Sequence, residues 1–277
     1  MVTLPLNNKE ISIAILSKKE SIAVMDVVTS LRKDLERKKF KVYSDETSMQ
    51  DSANWSKVID DVKKMNPDYI VSVGGDGTLL WVIRSMDDET PVLAVNVGGR
   101  GILSEISPNN IKESIKKLRE NQYLIDSRNR ISVSVNGKTL PPALNEVYVN
   151  RISQTRTSTY TMTIGGYKVK QRMDGLMVST STGSTGHSLS FGGPYIHPDS
   201  NAFLVLMVGS IDRLPPIVLP TKPIEVISDH DSSVTVDGQE EILVKASEQI
   251  VITKHNRNAR FIRFENTGFQ QLEKIFL

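Results

Sequence analysis

The chain has 277 residues, which is enough for one large domain or two ordinary ones with a substantial core. Its 39% hydrophobic and 24% charged residues, with a formal net charge of +2, argue against disorder and against a polybasic surface for nucleic acid or membrane. The absence of cysteine excludes disulfides, thiolate nucleophiles and thiolate metal sites. No apolar run reaches the length of a membrane span, and the first residues lack the pattern of a secretory signal, so a cytoplasmic location is expected.

The first third of the chain alternates strand-like and helix-like patterns. "ISIAILS" and "FKVYS" are typical of short buried strands, and a helix is predicted around Asn54 to Met65. Between the two strands, apolar residues recur at steps of four, three and four, which indicates one face of a helix. These residues are Val24, Val28, Leu31 and Leu35. Strands and helices in alternation predict a parallel sheet with helices on its faces.

Two glycine-rich loops follow strands in this region. "YIVSVGGDGT" leads from a strand into the first loop, after which a short helix is predicted from about Thr78. "PVLAVNVGGRG" leads from another strand into the second loop, and the helix that follows carries Ile111, Ile115 and Leu118 on one side. Because ligands bind at the carboxyl ends of parallel strands, both loops are candidate binding elements.

Beyond about residue 120 the pattern changes to repeated hairpins. Their turns fall at Asn136-Gly137, Gly165-Gly166 and Asp237-Gly238. We therefore predict an α/β plus all-β protein, with a parallel α/β N-terminal domain in residues 1–120 and an antiparallel C-terminal domain, β-sandwich-like or barrel-like, in residues 121–263. The last residues, about 264–277, have a helical pattern and could pack back on the first domain.

Several known site motifs are absent. Neither glycine loop has the lysine of a Walker A motif, the GxGxxG spacing does not occur, and no GxSxG elbow is present. The four histidines form no zinc motif. What remains includes "STSTGSTGHSLS", residues 179–190, which consists almost entirely of serine, threonine and glycine and offers many small donors to a polar ligand. The alternative is a polar turn.

Asp76 stands within the first glycine loop, where a carboxylate is the wrong charge for holding phosphate. One explanation is structural, with Asp76 capping the helix predicted from Thr78. The other is functional, because a carboxylate beside bound phosphates can accept a proton from an attacking hydroxyl or hold Mg²⁺. The sequence alone leaves both open.

The motifs taken together resemble those of the NAD kinase family, which phosphorylates the adenosine-ribose 2′-hydroxyl of NAD to give NADP. The resemblance covers nearly the whole chain and includes "GGDGT", the second glycine loop, "NE" at Asn145-Glu146, "DGLMVSTSTGST", "PPIVLP" and "VDGQ". "GGDGT" alone is shared with lipid kinases and, in a related form, with phosphofructokinases. The order and spacing of "GGDGT", "NE" and "TGST" are specific to the NAD kinases, whose Rossmann-like and β-rich domains agree with the predicted fold.

The resemblance implies roles for individual residues. Asp76 would be the base for the 2′-hydroxyl, within a loop that gives backbone access to phosphate. The residues implied in nucleotide binding are Gly74, Gly75, Gly77, Thr78, Asn145, Glu146, Asp174, Thr182, Thr185, Gly186, His187 and Ser190. The alternative for Asn145 and Glu146 is an exposed strand start. Candidate phosphate contacts, in place of a Walker lysine, are Arg100, Arg151 and Arg172.

The chain departs from the family pattern at two places. Gly186-His187 stands where the family usually has Ala-Tyr, and Ile102 stands where it usually has an aromatic residue. His187 either replaces the tyrosine wall of the pocket by stacking or leaves a looser site, so these changes bear on affinity and substrate preference.

The resemblance also implies cofactors and partners. The expected reactants are NAD and a phosphoryl donor, either ATP, another nucleotide or polyphosphate, with Mg²⁺ or another divalent cation. Neither nucleic acid nor a membrane is expected as a partner. The expected oligomeric state is a homodimer or a homotetramer. The alternatives are a lipid or sugar kinase that shares the "GGDGT" loop, and a non-catalytic sensor that binds NADP.

Overall fold

The computed structural model describes residues 10–17, 21–44, 55–153, 155–265 and 270–276. The described residues form two compact units. One lies within residues 1–127 and 259–277, and the other spans residues 128–258. Among the described residues, no helix has the length and apolar composition needed to cross a membrane.

The first unit is built on a six-stranded sheet. In chain order its strands are β1 (Ser12–Leu16), β2 (Lys41–Ser44), β3 (Tyr69–Gly74), β4 (Val92–Asn96), β5 (Leu124–Arg128) and β18 (Ala259–Arg263). The spatial order is β2-β1-β3-β4-β18-β5, and β1 to β4 and β18 pair in parallel. Because β3 and β4 are parallel neighbours, the two glycine loops leave the same edge of the sheet side by side.

Helices cover this sheet. They are α1 (Ile22–Arg37), α2 (Trp55–Met65), α3 (Asp76–Met86), α4 (Ile111–Arg119) and α6 (Gln270–Phe276). The Ser21 side chain caps α1 by accepting a hydrogen bond from the amide of Val24. The buried face of α1 consists of the four residues predicted from their spacing, and the three predicted residues of α4 are buried in the same core. Each such aliphatic side chain contributes about 1.5–3 kcal/mol by leaving water.

The start of α3 differs from the prediction. The helix begins at Asp76 and not at about Thr78, because Gly75 takes the extended N-cap conformation directly after β3. The N-terminal end predicted for α2, at Asn54, lies outside the described residues, which begin again at Trp55.

The second unit is a sandwich of two antiparallel six-stranded sheets. One sheet has the order β10-β9-β14-β17-β6-β7 and the other β13-β12-β11-β8-β15-β16. The strands are β6 (Ile131–Val135), β7 (Lys138–Thr139), β8 (Glu146–Arg151), β9 (Ser158–Ile164), β10 (Tyr167–Met173), β11 (Gly175–Thr180), β12 (Ala202–Val208), β13 (Ile217–Pro220), β14 (Ile224–Ser228), β15 (Ser232–Val236), β16 (Glu240–Val244) and β17 (Gln249–Lys254). The short helix α5 (His187–Ser190) follows β11. All three predicted hairpins are present.

The boundaries of the units differ from the predicted ones at 120 and 263. Strand β5 lies in the first sheet although it follows the predicted boundary, and so does β18, which ends at Arg263. In β18, Phe261 and Ile262 are buried, and Ile262 packs in the core shared with α1 and α4. The chain thus returns to the first sheet before the C-terminal helix.

Candidate active site

The first glycine loop joins the end of β3 to the start of α3. Gly74 has φ +153°, and a Cβ atom there would lie 2.5 Å from Oγ1 of Thr78, so a side chain at this position cannot fit. Beside Gly75 a Cβ atom would meet no described atom within 4 Å. The loop therefore packs tightly against α3 on one side and leaves the backbone open on the other.

The Asp76 carboxylate joins the two glycine loops. Its Oδ2 accepts a hydrogen bond of 2.9 Å from the amide of Ile102, and its Oδ1 accepts one of 3.1 Å from the amide of Leu103. Asp76 is half-buried, and the N-cap position belongs to Gly75, which makes no side-chain capping bond. The capping alternative is therefore wrong: Asp76 is the first residue of the helix, and its side chain points to the second loop.

The second glycine loop begins at Asn96, the last residue of β4. The Asn96 Nδ2 donates to the carbonyl of Gly99 at 3.2 Å, whereas its buried Oδ1 has no hydrogen-bond partner among the described residues. Arg100 is exposed, and its side chain makes no ion pair within the part of the chain that the structure describes. This loop thus presents an unused acceptor and a solvent-facing cation.

Residues from the C-terminal segment contact the second glycine loop. Lys274, on α6, donates from Nζ to the carbonyls of Gly101 at 3.0 Å and Ser104 at 2.6 Å. Arg263, on β18, donates to the carbonyl of Leu103 at 2.9 Å. Sequence reasoning missed both residues, because no local pattern around Arg263 or Lys274 indicates which loop, 160 or 170 positions away, its side chain will contact.

Burial lowers the pKa of the Lys274 ammonium, and the neighbouring Arg263 guanidinium lowers it further. The carboxylates of Glu105, Asp76 and Glu273 act in the opposite direction. The Lys274 ammonium therefore lies within electrostatic range of the Asp76 carboxylate.

In the second unit, Asp237 fixes the backbone of the Asn145-Glu146 pair. Its carboxylate accepts hydrogen bonds from three consecutive amides: Leu144 at 2.8 Å, Asn145 at 2.7 Å and Glu146 at 3.2 Å. Asp237 is itself buried. The sequence indicated only a hairpin turn here, and the "VDGQ" motif was the single signal that more was involved.

Glu146 is a buried carboxyl group at the start of β8. Only 5% of it is exposed, and its Oε2 has no hydrogen-bond partner among the described residues. Burial raises its pKa to about 8, the Asp237 charge adds to that shift, and a backbone hydrogen bond from His187 opposes it. The alternative of an exposed strand start is therefore wrong for Glu146. The side-chain amide of Asn145 is half-exposed and makes no hydrogen bond within the described residues.

The hydroxyl-rich segment uses most of its hydroxyls internally. The side chain of Ser179 donates to the carbonyl of Asn145 at 3.1 Å, and that of Thr180 donates to the carbonyl of Leu144 at 2.6 Å. Ser188 likewise donates to the carbonyl of Gly183 at 2.7 Å. The first two bonds hold the backbone at Leu144 and Asn145, and the third holds the hydroxyl-rich segment itself. These hydroxyl groups therefore stabilise the loops of the site and are already used as donors.

The predicted binding residues of this segment differ in exposure. Thr182 and Thr185 are buried in a 3₁₀ turn, where the Thr185 hydroxyl donates to the Thr182 carbonyl at 3.1 Å. Ser190, at the end of α5, is exposed. Whether these three contact a nucleotide stays a prediction.

Gly186 and His187 lie beside the Asn145-Glu146 pair. A Cβ atom on Gly186 would lie 3.3 Å from the Glu146 Oε2. His187 is exposed, and its ring centroid lies 4.9 Å from that of Phe191 and 6.1 Å from that of Tyr148. The imidazole thus belongs to an aromatic cluster at the edge of the loop.

Two of the predicted ligand contacts interact with each other. Arg151 Nε lies 2.6 Å from Oδ1 of Asp174, and its NH1 donates to the Ser153 carbonyl. Arg172 is exposed and donates to the Thr157 hydroxyl at 3.1 Å. Arg151 is therefore already neutralised, and of the three predicted arginines Arg100 alone stands in a glycine loop.

The described residues contain no group of three or more His, Asp and Glu side chains suited to holding a metal ion. A complete protein cage for Mg²⁺ is absent from this part of the chain. Mg²⁺ in phosphoryl-transfer sites is commonly held by one or two carboxylates together with substrate phosphates, and it needs no such cage when it arrives on the donor.

Comparison with known proteins identifies the family. The descriptions "ATP-NAD kinase N-terminal domain" and "ATP-NAD kinase C-terminal domain" match residues 8–123 and 144–264. An NAD kinase of Thermococcus sibiricus is 34% identical over 81% of this chain and 84% of that protein. An NAD kinase of Methanopyrus kandleri is 32% identical over 76% of this chain and 78% of that one.

Solved structures agree with this family in fold. The crystal structure of an NAD kinase from Archaeoglobus fulgidus in complex with ATP superposes with a TM-score of 0.80 at 27% identity, covering 96% of this chain and 99% of that one. Yeast NADH kinase, complexed with NADH, has a TM-score of 0.82 at 18% identity, covering 96% and 86%, and this likeness concerns the fold alone.

The fold and these matches define a phosphotransferase. The chain belongs to the NAD kinase family. The predicted family and the predicted α/β plus all-β fold are thereby confirmed, and the comparisons favour neither a lipid or sugar kinase nor a non-catalytic sensor.

Proposed function

We propose that the chain transfers the terminal phosphoryl group of Mg²⁺-bound ATP, or of polyphosphate, to the adenosine-ribose 2′-hydroxyl of NAD. The observation that carries this proposal is the position of Asp76, the first residue of α3, at the carboxyl edge of a parallel sheet between two glycine loops. Phosphoryl transfer depends mainly on alignment of the reactants and compensation of the phosphate charge. It therefore needs a fixed proton acceptor close to exposed backbone amides that can bind phosphate.

Asp76 is proposed as the group that accepts the proton of the attacking hydroxyl. Each of its carboxylate oxygens receives one backbone amide, from Ile102 or Leu103. A carboxylate has about four lone-pair directions, so acceptor capacity remains for a substrate hydroxyl. The two amides keep the carboxylate in one orientation, which is what a general base requires.

The donor phosphates are proposed to lie against the first glycine loop. The backbone beside Gly75 is open, and the N-terminus of α3 follows at Asp76. Amides at a helix N-terminus favour a phosphate. Arg100, exposed in the second loop, is the proposed side-chain contact. Mg²⁺ enters as part of the donor, where it would neutralise phosphate charge.

The second unit is proposed to bind NAD, chiefly through Asn145 and Glu146. These two side chains have polar atoms without partners among the described residues, namely the Asn145 amide and Oε2 of Glu146. A buried polar atom without a partner is costly unless a ligand satisfies it. Asp174, Thr182 and Thr185 remain proposed contacts, although the structure already gives them partners in the chain.

An assay of the purified chain with NAD, Mg²⁺ and separate phosphoryl donors tests the proposal. We expect NADP formation with ATP or polyphosphate and none without a donor. Binding of NADP without any conversion of NAD would identify a sensor instead. Thermal stabilisation by a lipid but not by NADP would favour a lipid kinase, since a ligand that binds the folded state raises its stability.

We also propose that the protein acts as a homodimer or homotetramer in the cytoplasm. Both statements rest on the family and on the composition of the sequence. Light scattering coupled to gel filtration measures the mass, and a monomeric mass at assay concentration would contradict the first statement.

A further inference from the structure

The turn of residues 101–104, within the second glycine loop, is held through its amides by Asp76. The Ile102 and Leu103 amides are consecutive, and each donates to a different oxygen of the same carboxylate. The orientation of Asp76 and the shape of this turn are therefore mutually dependent. Anything that moves the turn also moves the carboxylate.

The same turn is held through its carbonyls by two cations of the C-terminal segment. Lys274 donates to the carbonyls of Gly101 and Ser104, at the two ends of the turn. Arg263 donates to the carbonyl of Leu103, between them. Hydrogen bonds from charged donors are roughly twice as strong as neutral ones, so they fix a glycine-containing turn effectively.

Of the two cations, Lys274 is the one with no other function in the described structure. Arg263 is also paired with Glu105 at 3.2 Å and Asp126 at 3.1 Å, so it contributes to a buried charge network. Both hydrogen bonds that Lys274 makes to the described residues go to the turn. Drawing an ammonium out of water has a cost, and here the two carbonyls offset it.

We propose that Lys274 is a positioning residue, which holds the turn of residues 101–104 so that Asp76 keeps its catalytic orientation. This inference rests on the function proposed for Asp76. Lys274 would act on the chemical step through the turn and would not touch substrate. The C-terminal helix is then a part of the catalytic apparatus, although it is about 200 residues from the "GGDGT" loop in sequence.

Kinetics of Lys274→Met and Lys274→Arg test the proposal. Methionine keeps the length of the side chain and removes the ammonium, whereas arginine restores charged donors. We expect kcat to fall about ten- to hundredfold in the methionine variant, as is common when a supporting residue is lost, with KM for NAD and ATP within about twofold. Arginine should recover at least part of the loss.

Lys117→Met is the matched control. Lys117 is also partly buried in the first unit, where it pairs with Glu113 at 3.0 Å and lies over the Phe264 ring. Among the described residues, no hydrogen bond or ion pair joins it to the glycine loops. It should leave kcat unchanged. An equal loss in the control would mean that the effect is one of general stability, and the proposal would be wrong.

A double-mutant cycle with Asp76→Asn separates positioning from an independent role. If Lys274 acts through Asp76, Lys274→Met should cost little further activity once Asp76 is replaced. The same fold loss in both backgrounds would overturn the inference. So would a rise in KM for ATP at unchanged kcat, because that result would place Lys274 in direct contact with the donor.

Hydrogen exchange provides a readout that does not depend on activity. In Lys274→Met the amides of residues 101–104 should exchange faster than in the unmodified chain, while amides of the β3 core should not change. Unchanged exchange in the turn would refute the positioning role even if the chain proves active. Conversely, faster exchange in a chain that forms no NADP would support the contact and refute the proposed function alone. If the methionine variant does not fold, Lys274→Gln is subject to the same criteria.

Discussion

Each unit has one acidic residue at its candidate site, and the two side chains have opposite environments. Asp76 lies in the first glycine loop of the first unit, and Glu146 lies beside the hydroxyl-rich segment of the second. Asp76 is half-buried, and both of its carboxylate oxygens accept backbone amides. Glu146 is 5% exposed, one of its oxygens has no hydrogen-bond partner among the described residues, and its pKa is raised to about 8. The carboxyl group of Asp76 is therefore held by hydrogen-bond donors, whereas that of Glu146 is buried away from solvent.

This difference indicates different chemistry. A carboxylate held by amides is suited to accept a further hydrogen bond from a substrate hydroxyl. A buried carboxyl whose pKa lies near 8 is mostly protonated at pH 7, and it can donate one hydrogen bond as well as accept one. Burial and the Asp237 charge favour the protonated form of Glu146, whereas the 101–104 turn fixes the orientation of the Asp76 carboxylate.

The largest effect is expected from Asp76→Asn. Loss of a general base typically reduces the rate about 10²–10⁴-fold, and we expect a fall in kcat of this size. The structure adds a second cause, because the asparagine NH₂ group would face a backbone N–H of Ile102 or Leu103 in place of an acceptor. Steady-state kinetics of NADP formation measures the fall.

Comparison with Lys274→Met distinguishes the two causes. Lys274→Met loosens the turn and leaves the carboxylate intact, so it reports the contribution of orientation alone. If the two variants lose the same activity, Asp76 acts only by holding the turn and the base assignment is wrong. A kcat close to that of the unmodified chain in Asp76→Asn would contradict both roles.

Sequence patterns predicted the features of the fold that depend on residues close together along the chain. The buried face of α1 and the hairpin at Asn136-Gly137 follow from local period and turn chemistry, and both are confirmed. The contacts of Lys274 with Ser104 and of Asp237 with Leu144 join residues 170 and 93 positions apart. No local pattern encodes such pairings, so the positioning groups of both acidic residues were missed, although Asp76 and Glu146 themselves were predicted from their motifs.

The next largest effect is expected from Asp237→Ala. Three consecutive amides would lose their shared acceptor in a buried place, which should lower the free energy of unfolding by about 3 kcal/mol or more. KM for NAD should also rise, since the Asn145-Glu146 backbone is then free to move. Urea unfolding and NAD kinetics measure the two effects.

Asp231→Ala is the matched control for Asp237. Asp231 also accepts a backbone amide, from Ala246 at 2.9 Å, but it is exposed. A much smaller loss is expected there. Equal losses in the two variants would mean that burial of the Asp237 carboxylate has no energetic consequence, and the contrast between the two acidic sites would lose its physical basis.

Glu146→Gln should make stability less dependent on pH. Below the ordinary pKa of 4.5 the carboxyl is protonated in both folded and unfolded chains, so it contributes no pH dependence there. Between 4.5 and about 8 the unfolded chain has released the proton while the folded chain retains it, so the unmodified protein loses stability as pH rises. Glutamine resembles the protonated form, and its advantage should grow through this window to roughly 3 kcal/mol near pH 7.

Urea unfolding of both chains at several pH values checks this sign. Glu241→Gln, at an exposed position of β16, controls for the loss of one negative charge. A glutamine variant whose advantage shrinks as pH rises would show that Glu146 is stabilised as a carboxylate. The two acidic sites would then be alike.

The smallest effect is expected from Gly186→Ala, which restores the alanine usual in the family. Alanine would gain about 0.4–1 kcal/mol by restricting the unfolded chain, but the ψ of −137° that accompanies φ −92° at Gly186 lies outside the regions that residues with a Cβ atom favour. Its Cβ would lie 3.3 Å from Oε2 of Glu146, an atom that no described hydrogen bond holds in place, and 3.2 Å from the carbonyl of Gly183. The Glu146 side chain can yield by a few tenths of an ångström, but the Gly183 backbone cannot do so freely, so we expect the gain and the strain to offset each other to within about 1 kcal/mol. Gly192→Ala provides the opposite case, with open space but φ +77°, and should cost about 1 kcal/mol. If Gly186→Ala costs clearly more than Gly192→Ala in urea unfolding, the contacts around Gly186 cannot yield, and the expectation that the Glu146 side chain makes room for the added methyl group is wrong.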